Sequence, residues 1–235
     1  MDAVGDVVRI GFVLFPGVTQ LDLTGPLQVF SAVPRVEVHL VAANLGPVPT
    51  DTVLALLPTV TFDACPQLDV ICVPGGQGVN LVLEDAELLT FLRRQAEGAR
   101  YVTSVCTGAL LLGAAGLLDG YRATTHWSAL EFLEQFGATP VRSRVCVDRD
   151  HITGGGVTAG IDFGLQLVAE LCGRTVAEGV QLHLEYGPQP PFEAGSPDTA
   201  PPEVLQAHRA RTAAAQADRA ARVRRAATHA RDLRE

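Results

Sequence analysis

The sequence predicts one doubly wound α/β domain, on three observations. Apolar runs of strand length recur at Val7 to Phe15, Val36 to Ala42, Leu68 to Val73 and Tyr101 to Val105. Segments with helical periodicity fall between them, the alternation expected of a mostly parallel sheet covered on both faces. Residues able to do chemistry stand just after strands, Asp22 after the first and Cys106 after the run from Tyr101. The carboxyl ends of strands are where open sheets of this kind place their sites.

Taken in order, Val7 to Phe15 is almost continuously apolar, as a central strand is, and Pro16-Gly17 closes it. Gln20 to Phe30 reads as a helix with a break or kink at Gly25-Pro26. Asp22 has two readings there: an acid at the strand's carboxyl end, or a cap of the helix N-terminus. Val36 to Ala42 is a second strand, and residues 44–61, with three prolines, read as an excursion holding one or two short strands. Leu68 to Val73 is a buried strand closed by Pro74-Gly75-Gly76, where two glycines let a backbone approach closely. The spacing is not that of a dinucleotide-binding loop. Glu84 to Gly98 is an amphipathic helix, acidic early and carrying Arg93-Arg94 late.

The centre of the chain is Tyr101-Val-Thr-Ser-Val-Cys-Thr-Gly-Ala-Leu110, a β-branched run followed by small and apolar helix formers. Cys106 sits on the bend, where the first free N–H groups of a helix favour a thiolate, and this marks it as a nucleophile. Ser128-Ala-Leu-Glu131 and Thr175-Val-Ala-Glu178 read as capping boxes opening two helices. His126, before the first of them, reads either as a base facing Cys106 or as a structural histidine beside Trp127. Val141 to Ile152 reads as a hairpin or short strands. Thr153-Gly-Gly-Gly-Val-Thr-Ala-Gly160 leads into a helix from Ile161 to Leu171 and reads as close packing or backbone donors, or as a linker. Six prolines lie in residues 187–202, and Glu203 to Glu235 is an Ala/Arg-rich helix with eight arginines against four acids. The chain therefore divides into an α/β domain at 7–186 and a Pro-rich segment plus helix at 187–235, the helix packing on the acidic body or on a partner.

Composition excludes several classes. The formal net charge of −8 argues against nucleic acid as the main partner. No apolar run is long enough to span a membrane, and the acidic Met1 to Asp6 start is unlike a signal peptide, so a cytoplasmic protein is expected. Cys65, Cys72, Cys106, Cys146 and Cys172 show no paired spacing and read as thiols. Histidines and cysteines do not cluster at zinc-ligand spacing. The chain contains no lysine, which excludes Schiff-base chemistry and a Walker lysine. These elements together describe a flavodoxin-like sandwich with a C-terminal helical extension.

The Cys106 elbow, Pro74-Gly-Gly76 and Thr124-Thr-His-Trp127 resemble the ThiJ/PfpI superfamily, related to class I glutamine amidotransferase domains. Gln20-Leu-Asp-Leu-Thr-Gly-Pro26, Tyr101 to Gly108, Gly154-Gly-Gly-Val-Thr-Ala-Gly-Ile-Asp162 and Pro191 to Pro201 are more closely similar to the isocyanide hydratases within it. The resemblance runs from Val7 into the C-terminal helix. It implies Cys106 as nucleophile, Asp22 as the carboxylate facing it and Thr107 as the hydroxyl beside them. Gly75, Gly76, Gly155 and Val157 are implied as donors to substrate or oxyanion, and His126 carries over no role. It implies a homodimer, an isocyanide as the small-molecule substrate, and no cofactor or metal. Peptidase-like relatives place a histidine where Thr107 stands, and glyoxalase- or deglycase-like relatives a glutamate where Asp22 stands. A glyoxalase-like enzyme and a thiol sensor, as in the amino-terminal halves of AraC-type regulators, are the other readings; no segment reads as a DNA-binding domain.

Overall fold

The computed structural model describes residues 7–232, and a seven-stranded sheet lies at its centre. The acidic start Met1 to Asp6 and residues 233–235 lie outside the described residues. Strand β1 (Val8–Val13) leads into helix α1 (Gln20–Ser31) and strand β2 (Val36–Ala42). The excursion that follows holds β3 (Val48–Pro49), β4 (Ala55–Leu56) and β5 (Val60–Thr61). Next come β6 (Val70–Val73), α2 (Val79–Val82), α3 (Ala86–Ala96), β7 (Tyr101–Val105) and α4 (Gly108–Ala114). The pair β8 (Arg122–Ala123) and β9 (Thr139–Pro140) brackets a 3-10 helix, Trp127–Phe136. The chain then runs through β10 (Val145–Asp148), β11 (His151–Gly154), α5 (Ala159–Cys172), α6 (Arg174–His183) and α7 (Pro202–Asp232).

The sheet order is β10-β11-β7-β6-β1-β2-β5, and every neighbouring pair is parallel except β10 with β11. The hairpin expected over 141–152 is therefore the antiparallel edge of the sheet. From β1 the chain moves outward to β2 and β5, then returns to β6 on the other side of β1. The reversal lies between β1 and β6, and at such a switch point the loops leaving the two strands diverge and open a crevice. The carboxyl ends of β1, β6, β7 and β11 all face this edge.

Each face of the sheet has its own apolar layer. Phe12, Phe30 and Phe163 interlock on the face of α1, α5 and α6. On the other face Phe62 stacks on Phe91, and α2, α3, α4 and the 3-10 helix fill the layer. Helix α1 is continuous through Pro26, so the chain does not break there, and Pro26 packs against α5 at Gly160. Neither expected capping box forms. His126 caps the 3-10 helix through Nδ1, which accepts from the Ser128 N–H. Gly173 precedes α6, and Glu178 pairs with Arg174 one turn back. The 3-10 helix is thus capped by a histidine instead of the expected serine, and α6 starts with no side-chain cap.

Helix α7 packs on the body of its own chain, against α4, the 3-10 helix and α2. Val223, Ala226, Ala227 and Ala230 are buried there. Arg225 grips Glu84 with two hydrogen bonds of 3.0 and 2.9 Å. The Pro-rich segment before it has no regular structure over 187–201 and is pinned by Arg142, bidentate on Asp198. Among the described residues no helix is long and apolar enough to cross a membrane.

Close approach of α4 to the end of β6 depends on Gly108. A Cβ at that position would lie 2.0 Å from the Val73 carbonyl oxygen and 2.8 Å from that of Pro74, both backbone atoms. Gly108→Ala is expected to lower the urea midpoint by the equivalent of more than about 3 kcal/mol. Gly179→Ala, at an open position in α6, is expected to raise it by about 0.5–1 kcal/mol, and equal effects of the two would contradict this packing.

Candidate active site

Three loops converge at the carboxyl edge. Cys106, first after β7, has φ of 55°, in the left-handed region that side chains other than glycine, asparagine and aspartate rarely occupy. The surroundings fix it on both sides. Its N–H is shared between the carbonyls of Gly154 (3.1 Å) and Gly155 (2.9 Å), and its own carbonyl accepts from Thr125 Oγ1 at 2.7 Å. Holding a residue there costs on the order of 1–3 kcal/mol and is characteristic of functional bends. The result is a thiol only 6% exposed, aimed into the edge of the sheet.

Asp22 is wholly buried on the first turn of α1, behind the end of β1. Its Oδ2 accepts the Gly75 N–H at 2.9 Å, so it does not cap its own helix. Oδ1 is buried without a protein donor in hydrogen-bond geometry, and the group the carboxyl faces is the Cys106 thiol. Burial raises the Asp22 pKa to about 7, against the lowering effect of the Gly75 N–H. Burial also pushes the Cys106 thiol well up, the nearby Asp22 charge adds to this, and the N–H groups of Thr107 and Val157 at the sulfur work the other way. The helix-start donors that the sequence suggests are thus present, but burial and the carboxyl outweigh them.

Gly75 is the hinge between these two acids. A Cβ on it would meet Thr107 N at 2.5 Å, Thr107 Oγ1 at 2.7 Å and Asp22 Oδ2 at 3.0 Å. Only a glycine lets the loop after β6 lie against both the elbow and the carboxylate. The Thr107 hydroxyl accepts from Gly76 N–H at 3.0 Å and lies 3.3 Å from the Gly76 carbonyl, so it holds that peptide and is not bonded to Asp22. Among the residues expected to donate, Gly75 N–H is taken by Asp22, Gly76 N–H by Thr107 and Gly155 N–H by the Arg144 carbonyl at 2.9 Å. These three hold the site together and have no free N–H for an oxyanion; Val157 N–H is directed at the Cys106 sulfur.

His126 is tied within its own segment. Its Nδ1 lies 2.8 Å from Ser128 Oγ, its ring rests near Gly156, and burial followed by the charges of Arg219 and His208 lowers its pKa to about 4. Its contacts with Ser128 and Trp127 fit the structural reading of this histidine. A cavity of about 560 Å³ opens beside the elbow, lined by Thr125, His126, Trp127, Gly156, Val157 and Pro197 among others. Its lining mixes small and apolar residues with the charged Arg142, Arg144 and Asp198. Among the described residues no three His, Cys, Asp or Glu side chains gather as a metal site would require. One residue here gave no signal in the sequence. Arg219, one of seven arginines in the motif-free helix α7, is only 7% exposed and lies in the field of Cys106.

The sequence pattern of the DJ-1/PfpI family matches residues 8–170. The chain is 59% identical over 206 residues to an isonitrile hydratase of Pseudomonas putida, covering 88% of this chain and 90% of that one. It is 31% identical over 185 residues to the HTH-type transcriptional regulator GbdR of Pseudomonas aeruginosa, of which it spans 50%. A crystal structure of a ThiJ/PfpI family protein from Pseudomonas syringae superposes with a TM-score of 0.90 at 47% identity, over 93% of this chain and 91% of that one. The elbow, the sheet order and these matches agree, and the chain belongs to the DJ-1/PfpI family.

Proposed function

We propose that the protein is an isonitrile hydratase, adding water to an isocyanide to give an N-substituted formamide. The observation that carries this reading is a buried carboxyl facing the nucleophilic thiol, Asp22 on Cys106, in a chain 59% identical to an isonitrile hydratase over nearly the whole of both proteins. The reading includes a homodimer in the cytoplasm, acting on a small molecule without cofactor, metal or nucleic acid.

The two acids act as a pair. The pair loses its first proton near pH 7, and the singly ionised pair has two forms, thiolate with carboxylic acid or thiol with carboxylate. In the first form the Cys106 sulfur attacks the terminal isocyanide carbon, forming the S–C bond, while Asp22 delivers its proton to that carbon. The product is a thioimidate, R–N=CH–S–Cys106, with Asp22 ionised. Water adds to the same carbon; Asp22 takes one of its protons and passes it to nitrogen. The S–C bond then breaks, the remaining hydroxyl proton goes to Asp22, and the formamide leaves with thiolate and carboxylic acid restored. Thr107 positions the Gly75-Gly76 backbone against which Asp22 is held.

This reading sets the activity. Formamide production should be measured from cyclohexyl and substituted phenyl isocyanides. Cys106→Ala and Asp22→Asn should each lose at least about 100-fold, and near-normal turnover by either would overturn the mechanism. Thr107→Val leaves the buried Gly76 N–H unpaired and should lose about tenfold. Because the reacting form appears as the pair loses its first proton, kcat/KM should rise about tenfold per pH unit below pH 7 and level above it. A profile flat from pH 5 to 8 would contradict the shared proton.

The same group makes stability depend on pH. The folded Asp22 pKa is raised from 3.8 to about 7, so in that window the native state binds more protons than the unfolded state. Its contribution to stability therefore falls as pH rises from about 4, and the penalty is complete above about 7, on the order of 4 kcal/mol at most. Asp22→Asn should resist urea better than the parent at pH 8, with the advantage shrinking toward pH 4. An advantage independent of pH would show that Asp22 is not held protonated by its surroundings.

A further inference from the structure

A buried arginine without a counterion stands beside this site. Arg219 is 7% exposed, and its Nε donates to Asn80 Oδ1 at 2.8 Å. Asn80 lies on α2, just past the Gly75-Gly76 loop, and its own NH₂ group reaches the Ala215 carbonyl and Asp218 on α7. The amide thus ties α7 to α2 and sets the guanidinium between them, on the side where α7 packs against α4, the helix that Cys106 opens. Among the described residues no carboxylate forms an ion pair with Arg219 within 4.0 Å. The nearest acid, Asp218, is gripped by Arg222 at 3.0 and 2.9 Å. Proteins rarely bury a charge unpaired, because desolvation costs several kcal/mol per ion. The groups that share its field are Cys106, Asp218 and His126.

We propose that Arg219 is the counter-charge of the active site, a positioning residue delivered by the C-terminal helix, whose guanidinium favours the anion that forms at Cys106. It favours the attacking thiolate in the first step and the departing thiolate in the last. The inference rests on Cys106 as the nucleophile and not on an isocyanide as the substrate.

The test is alkylation of Cys106 by iodoacetamide in the full-length protein from pH 6 to 10, followed by mass spectrometry of the Cys106 peptide. Arg219→Gln should raise the apparent pKa of alkylation by about one unit, slowing the reaction about tenfold at pH 7. Arg219→Lys, which keeps the charge, should follow the parent. Arg219→Met offers a second neutral variant that keeps an apolar stem in the packing, so that failure of one to fold leaves the other to decide. A parental profile in either folded neutral variant overturns the proposal, as does an equal shift in the lysine variant, which would show a packing effect. If the parent turns over no isocyanide while the alkylation shift persists, the substrate assignment falls and the counter-charge stands.

Discussion

The structure depends on burying two acids against each other. Cys106 and Asp22 come from strands separated in the sheet by β6, and neither side chain reaches bulk water to any extent. Two such groups close together resist double ionisation, and removal from water raises the pKa of each. Burial raises the Asp22 pKa to about 7, while the Gly75 N–H and the neighbouring thiol act the other way. The pairing also explains why the surrounding backbone is so heavily committed. A shared proton is useful only if the two side chains cannot drift apart, and the N–H groups of Gly75, Gly76, Gly155 and Cys106 are all used to prevent it.

The sheet topology makes this possible at small cost in local strain. Loops from adjacent parallel strands meet at one edge, so Gly75 of the β6 loop can insert between Thr107 and Asp22 without a long excursion. The strain concentrates at one residue, Cys106 at φ 55°, and is balanced by three hydrogen bonds to its own peptide groups. Relaxing that bend would swing the sulfur away from Asp22. Geometry and proton sharing are therefore one constraint.

Much of this was legible in the sequence because it follows from local pattern. A β-branched run ending at Val105 and a Gly/Ala/Leu segment after Thr107 locate the elbow, and an acid just past the first strand lands at the same edge in any parallel sheet. What the pattern does not encode is which donor meets which acceptor across the fold. Ser128 and Thr175 satisfy the spacing of a capping box, yet His126 caps the first helix and Glu178 turns to Arg174. Glycines beside a nucleophile suggest free N–H donors, yet tertiary partners take those of Gly75, Gly76 and Gly155. Pro26 suggests a break in α1, yet it sits where α5 packs at Gly160 and the helix continues. Arg219 had no local signal, since its significance lies in burial without an ion-pair partner.

That last residue bears on how the scaffold is specialised. The family pattern ends at residue 170, and the regulator GbdR, matched over half its length, is a larger protein on the same kind of domain. The shared domain supplies the elbow and the strand ends; α7 lies beyond it. A pair of buried acids alone is biased toward keeping its protons, which suits storing a proton better than forming a thiolate. A positive charge brought in from outside the common domain shifts that balance without altering the hydrogen bonds that position the pair. An appended helix can therefore tune the chemistry of a fixed elbow, because the field of a buried guanidinium reaches across a packing interface that contacts between neutral side chains would leave electrically silent.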